Sequence, residues 1–163
     1  MSIRNATIED LPRIVEIYNA AIPGRLATAD TEPVCVEDRR QWFENRDSTK
    51  HPVLVEERDG EIAGWVSLQP FRAKPAYHHT VEISLYIAPE WQGQGIGRAM
   101  LAEVLERAPS CGVKTVLGLV FSHNTPSIRI SRALGFEEWG CLRDVCEIDG
   151  KEYSVTIFGK RVA

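Results

Sequence analysis

Gln92-Gly93-Gln94-Gly95-Ile96-Gly97-Arg98 joins an apolar run, Val81 to Ala88, to an amphipathic segment, Arg98 to Ala108, with helical spacing. Glycines at alternate positions leave little side chain to obstruct a ligand. The N–H groups of such a loop and of the first helical turn lack intrahelical acceptors, so they can face an anion. Arg98 falls at the positive end of the helix dipole, where a cation is unfavourable unless an anion such as pyrophosphate lies beside it. The stretch reads as a phosphate cradle, although a glycine-rich turn that binds nothing has the same composition. Spacing excludes two common phosphate loops. A P-loop needs a Lys-Ser/Thr pair after its last glycine, and Ile96-Gly97-Arg98 offers neither. The dinucleotide fingerprint is G-x-G-x-x-G, whereas this loop is G-x-G-x-G.

On either side of the loop, hydrophobic periodicity gives the element order. Ser2 to Ala6 suits a short strand, and Thr7-Ile8-Glu9-Asp10 a capping box. Leu11, Ile14, Val15, Tyr18 and Ile22 follow at helical spacing, until Pro23-Gly24 ends the helix. Arg25 to Val34 is a polar connector. Val36 to Arg46 reads as a second helix anchored by Trp42 and Phe43. Val53 to Arg58 and Ile62 to Leu68 flank Asp59-Gly60, a hairpin turn signal. Pro70 to Ala76 is a loop. Val81, Ile83, Leu85 and Ile87 alternate with Glu82, Ser84 and Tyr86, which is strand period. Val113 to Phe121 is almost continuously apolar, as expected of a strand covered on both faces. Asn124 to Leu134 is helical and stops at Gly135. Phe136 to Glu147 and Tyr153 to Phe158 form a last hairpin around Asp149-Gly150. The order β-α-α-β-β-β-α-β-α-β-β demands a mixed sheet covered by helices.

Composition narrows the function. The chain has 163 residues, 44% hydrophobic and 26% charged, which fits one domain, 1–163, with an ordinary core. A net charge of −4 without a Lys/Arg cluster argues against a nucleic-acid partner. No apolar run is long enough for a bilayer, and no h-region follows Met1-Ser2-Ile3-Arg4-Asn5, so a cytoplasmic location without membrane association is expected. Cys35, Cys111, Cys141 and Cys146 form no C-x-x-C pair and have no histidine at zinc-finger spacing. Reduced thiols and no metal are expected.

The glycine loop, written as Gln92-x-x-Gly95-x-Gly97, together with Asn124-x-x-Ser127 and Arg132-Ala133-Leu134-Gly135-Phe136, resembles the GNAT family of N-acetyltransferases over essentially the whole chain. Ile17-Tyr18-Asn19, Thr28-x-Asp30-Thr31-Glu32-Pro33, Pro75-Ala76-Tyr77, Thr80-Val81-Glu82 and Tyr86-Ile87-Ala88-Pro89 resemble its phosphinothricin and methionine sulfone acetyltransferase branch. The resemblance implies an α/β (α+β) fold: a mixed, mostly antiparallel central sheet of about seven strands flanked by about four helices. It implies acetyl-CoA as co-substrate and direct transfer to the amine of a small amino acid analogue. Leu85, Tyr86 and Ile87 would pair with pantetheine like an added strand. Amides of Gln92, Gly93, Gln94, Gly95, Ile96, Gly97 and Arg98 would hold the pyrophosphate. Asn124 and Ser127 would bind the cofactor from the next helix, and the branch often forms homodimers. The C-terminal hairpin, Leu142 to Phe158, is a candidate interface.

An ammonium group is no nucleophile, so the acceptor amine must lose a proton first. Glu82 is the candidate base, which the resemblance supports; alternation alone allows a solvated glutamate. Relatives place Tyr or His, as proton donor to the leaving thiolate, where this chain has Ser131, a poor acid. Arg72 and Lys74 are candidates to hold an acceptor carboxylate, with Tyr77 and His78 beside them; a solvated basic loop is the plain alternative. On an extended segment His78 and His79 would point opposite ways, so at most one faces the site. His123 can serve as a cap. Tyr18 and Asn19 are placed near the acceptor, Tyr18 chiefly as core. Trp42, Trp65, Trp91 and Trp139 are assigned no cofactor stacking. The competing functions are a non-catalytic acyl-CoA sensor and an acetyltransferase for peptide N-termini or polyamines.

Overall fold

Alternate residues of the central strands feed two apolar clusters on opposite faces of one sheet. In the computed structural model, which describes residues 2–163, Val53, Val55 and Trp65 pack with Ile14, Ile17 and Tyr18 of the first helix. Leu54, Val66 and Leu68 point the other way, onto Met100, Leu101 and Val104 of the third. Burial of each such side chain contributes about 1.5–3 kcal/mol, so the two periodicities of strand and helix fix which face each element covers. Met1, the start of both the expected domain and the segment read as lacking an h-region, lies outside the described residues.

The elements are β1 (Ser2–Asn5), α1 (Leu11–Ala20), α2 (Val36–Glu44), β2 (Val53–Arg58), β3 (Glu61–Pro70), β4 (Thr80–Ile87), α3 (Ile96–Arg107), β5 (Thr115–Phe121), α4 (Thr125–Ala133), β6 (Glu137–Ile148) and β7 (Lys151–Arg161). The seven-stranded sheet has the order β1-β2-β3-β4-β5-β7-β6. Among the described residues its pairings are antiparallel except β4 with β5. That parallel pair needs a crossover, which α3 supplies. The expected mixed, mostly antiparallel sheet with four helices is therefore present.

Local chemistry accounts for the boundaries. The Thr7 N–H donates to Asp10 Oδ2 at 2.7 Å, the reciprocal half of the capping box. Asp59-Gly60 and Asp149-Gly150 each carry two consecutive positive φ values (51° and 79°, 53° and 76°), as a tight hairpin turn requires. Some expected limits move. The third helix starts at Ile96 rather than Arg98, and Pro109 turns its end into a 3-10 segment, Ala108–Cys111. The second helix stops at Glu44 rather than Arg46, the fifth strand begins at Thr115 rather than Val113, and the last strand spans Lys151–Arg161.

Candidate active site

The parallel ladder between β4 and β5 is short: Thr80, Val81 and Glu82 pair with Thr115, Val116 and Leu117. Beyond these rungs each strand keeps only its other neighbour. β3 holds β4 along its full length, to Ile87, and β7 holds β5 to Phe121. The two halves of the sheet thus diverge, and the β4 edge from Ile83 to Ile87 presents backbone groups that β5 does not pair. Such an edge is a template for an added strand. The gap opens into a cleft of about 440 Å³. Its wall explains the apolar run of β5: Leu119 is 41% exposed, because its neighbouring strand has moved away. The expectation that both faces of β5 are covered fails here, since part of the run lines a cleft and not a core.

The glycine loop lies at the far end of β4. Gly95 is the N-cap of α3 with φ 79°, a conformation that costs most residues with a Cβ about 1–2 kcal/mol. Gly97 serves contact instead: a Cβ there would touch Leu85 Cδ2 at 3.4 Å, so the helix start lies close against β4. The Ala99 N–H already donates to Gly95 O at 3.1 Å, which leaves the N–H groups of Ile96, Gly97 and Arg98 as the unpaired first turn. Ile96 is core, so only its backbone is available to a ligand. Arg98 and the 92–95 segment are exposed. The Gln92 side chain donates to Ile87 O at 3.2 Å and tethers the loop to the end of the free strand edge.

Opposed residues of an antiparallel pair share a face. Gln69 opposes Glu82, Ser67 opposes Ser84, and Trp65 opposes Tyr86. These three rungs form the cleft floor on the α1–α2 side. Glu82 sits on the last rung of the parallel ladder, where the split begins, and Gln69 Nε2 donates to its Oε2 at 3.2 Å. Ser67 is fully buried, and its Oγ has no hydrogen-bond partner among the described residues. Tyr86 lies 5.0 Å from both Trp65 and Tyr18, ring to ring, and its hydroxyl donates to Ala27 O at 3.3 Å. Burial pushes the Tyr86 and Tyr18 phenols above their ordinary values, so both remain neutral donors near neutral pH.

The stretch read as a plain polar connector is the roof. Leu26, Ala27, Thr28 and Ala29 line the cleft. Tyr18 Oη lies 2.7 Å from Thr28 Oγ1 and also donates to Asp30 Oδ2. Asn19 exchanges two hydrogen bonds with the Val34 backbone, at 2.8 and 2.9 Å, so it fixes the roof and does not line the cleft. His123 Nε2 lies 3.1 Å from Arg25 O, and Arg25 pairs with Asp149 at 3.0 Å. Asn124 works within the scaffold: Oδ1 accepts from Ser127 N at 3.3 Å as the cap of α4, and Nδ2 donates to Leu26 O at 3.1 Å. Ser127 and Ser131 line the cleft beside it. The Ser131 hydroxyl donates to Ser127 O at 2.8 Å, so its proton is committed to its own helix.

Arg72, Lys74, Tyr77 and His78 are not brought to this cleft; all four are exposed. Arg72 lies 5.3 Å from the Phe71 ring. The extended-segment argument for the histidines fails, because Pro75–Tyr77 is a 3-10 turn. The rings of His78 and His79 lie 3.8 Å apart, tilted by 45°, with Nδ1 atoms at 2.7 Å from Pro75 O and 2.6 Å from Gly112 O respectively. Arg39, Trp65 and Ser67 line the cleft but were not singled out for it. Arg39 was legible in principle: it precedes Trp42 and Phe43, the anchors of α2, by three and four positions and shares their face. Cys35, Cys111, Cys141 and Cys146 are free thiols. Among the described residues no group of His, Cys, Asp and Glu is placed to hold a metal, and no helix is long and apolar enough to cross a membrane.

Comparison with known proteins agrees with this geometry. The model of the acetyltransferase (GNAT) family matches residues 11–136. The Bacillus subtilis protein YwnH is 39% identical over 163 residues, with 100% of each chain covered. The L-methionine sulfoximine/L-methionine sulfone acetyltransferase of Pseudomonas aeruginosa is 34% identical over 156 residues, covering 95% of this chain and 91% of its own. A phosphinothricin acetyltransferase from Sinorhizobium meliloti, solved in complex with acetyl-CoA, superposes with a TM-score of 0.92 at 28% identity, covering 98% of this chain and 87% of that one.

Proposed function

The chain belongs to the acetyltransferase (GNAT) family, and we propose that it moves the acetyl group of acetyl-CoA directly onto the amine of a small amino acid analogue of the phosphinothricin, methionine sulfoximine or methionine sulfone kind. The observation that carries this is the split between β4 and β5 with Glu82 at its apex. The unpaired edge at Leu85, Tyr86 and Ile87 suits the amide groups of pantetheine. The first-turn N–H groups of Ile96, Gly97 and Arg98, with the exposed 92–95 segment, suit the pyrophosphate. Asn124 and Ser127 shape the cofactor wall, Asn124 chiefly by holding Leu26 and capping α4.

Glu82 takes the proton of the acceptor ammonium, directly or through one water. The freed nitrogen then bonds to the thioester carbonyl carbon, the C–S bond breaks, and CoA leaves as its thiolate. The floor hydroxyl of Ser84 gives the acceptor a hydrogen-bond partner beside Glu82. Ser131 gives up no proton; its oxygen accepts from a water that passes the second proton of the acylated nitrogen to the departing thiolate. Arg72, Lys74, Tyr77 and His78 lie on the segment that follows β3, outside the cleft lining of a single chain.

We place the reaction in one domain, residues 1–163, acting in the cytoplasm as a homodimer. The exposed Trp139, Leu142 and Val145 on the edge strand β6 support the dimer, because apolar side chains clustered on a free edge favour a partner. A thiol-release assay with methionine sulfone, phosphinothricin, spermidine and short peptides tests the substrate class. Turnover of the first two supports it. Turnover confined to spermidine or peptides, or acetyl-CoA binding with no turnover at all, refutes it.

A further inference from the structure

We propose that Gln69 is a positioning residue for Glu82: its amide takes one carboxylate oxygen and leaves the other turned to the acceptor amine. This rests on the acetyl-transfer reading above, with Glu82 as the base. Gln69 and Glu82 are opposed in the antiparallel ladder of β3 with β4, so their side chains leave the same face of the sheet side by side. Gln69 Nε2 donates to Glu82 Oε2 at 3.2 Å. A carboxylate only accepts, so the N–H side of the amide is the one that meets it. Both side chains are half-buried and line the cleft.

Glu82 needs such a partner because of where it stands. It occupies the last rung that β4 shares with β5. A glutamate side chain turns about several single bonds, and a base works only when held within reach of its proton. On the next rung of the floor Ser67 Oγ has no hydrogen-bond partner, so it does not restrain the carboxylate. Among the described residues Gln69 is the hydrogen-bond partner of Glu82, and no Lys, Arg or His forms an ion pair with it. An amide suits this place. It donates without bringing a full positive charge, so the acceptor ammonium remains the cation that the carboxylate meets. Gln69 also stands on a held backbone. The residue before it, Leu68, donates its N–H to Pro52 O at 3.1 Å and accepts from Arg46 Nη2 at 2.5 Å. The Arg46 guanidinium in turn lies 4.6 Å from the Trp42 ring of α2.

The test is steady-state thiol release with methionine sulfone and phosphinothricin for wild type, Q69M, E82Q and the double variant. Met matches the length of Gln but has no N–H donor. Melting temperature and acetyl-CoA KM are controls for fold and cofactor site. Q69M should lower kcat about 10-fold, with the KM of each substrate within about threefold of wild type. In the E82Q background, where no base is left to aim, the same substitution should change kcat by less than about twofold. A side chain that merely supports the sheet would cost the same factor in both backgrounds. That result, or wild-type kcat in Q69M, or a loss confined to KM, overturns the Gln69 assignment while acetyl transfer stands. If wild type releases no thiol with either acceptor, or E82Q keeps wild-type kcat, the reading with Glu82 as base falls and takes this one with it.

Discussion

Replacing Asn124 with alanine should destabilise the fold more than it weakens the cofactor. The side chain is 6% exposed and makes two structural bonds, to Ser127 N and Leu26 O. Loss of an N-cap costs about 1 kcal/mol. The Leu26 carbonyl loses its donor too, but Leu26 is half-buried and water can reach it, so this adds about 1 kcal/mol. The sum of about 2 kcal/mol corresponds to a fall of about 4–8 °C in Tm for a chain of this size. N124D keeps the cap and loses only the donor, so its Tm should fall by about half as much. Thermal melting beside calorimetric titration of acetyl-CoA separates the roles. A variant that melts like wild type yet binds acetyl-CoA more than tenfold weaker would refute the reasoning, and would return Asn124 to the direct cofactor contact expected from sequence.

E82Q should retain acetyl-CoA affinity and the hydrogen bond to Gln69 while kcat falls about 10²- to 10⁴-fold, and the deficit should shrink as the pH passes the pKa of the acceptor amine; a pH–rate profile by thiol release reads both. Asp10 is held below the usual carboxylate range by its hydrogen bonds to Arg4, with burial opposing them. A depressed folded pKa contributes stability above the unfolded value of about 4 that is lost as the pH falls through the folded one. D10N should therefore be less stable than wild type at neutral pH, by about 1.5–3 kcal/mol in denaturant unfolding, and the gap should close in acid. V145D, at a side chain 54% exposed, should keep a native-like far-UV spectrum and convert a dimer to monomer in sedimentation velocity.

Much of the architecture could be read from the chain because it depends on local patterns. Period-two alternation in Val81 to Ile87, turn pairs such as Asp59-Gly60, and the glycine loop each specify their own geometry within a few residues. The cleft is different in kind. Nothing in β4 or β5 alone says that their ladder stops after Glu82 and Leu117; that follows from which outer neighbour holds each strand. The apolar composition of β5 alone accordingly suggests a strand covered on both faces. The roof is not legible in the chain because its bonds run from Leu26 to Asn124 and from Arg25 to Asp149, pairings with no local signature. Candidate cations near Glu82 in sequence, Arg72 and Lys74, lie on an exposed loop, while Arg39 arrives from α2, far along the chain. The histidine argument failed for a local reason: Pro75 starts a turn where an extended segment was assumed.

The proposed mechanism requires acetyl-CoA to dock into the gap between β4 and β5, with its diphosphate on the first turn of α3. Amide hydrogen exchange with and without acetyl-CoA tests it at residue level. New protection is expected at Leu85 to Ile87 and at Gly95 to Arg98, with Val53 to Arg58 on the distant β2 unchanged. Saturating acetyl-CoA that leaves both segments exchanging as before, or that protects a different face of the sheet, would contradict it.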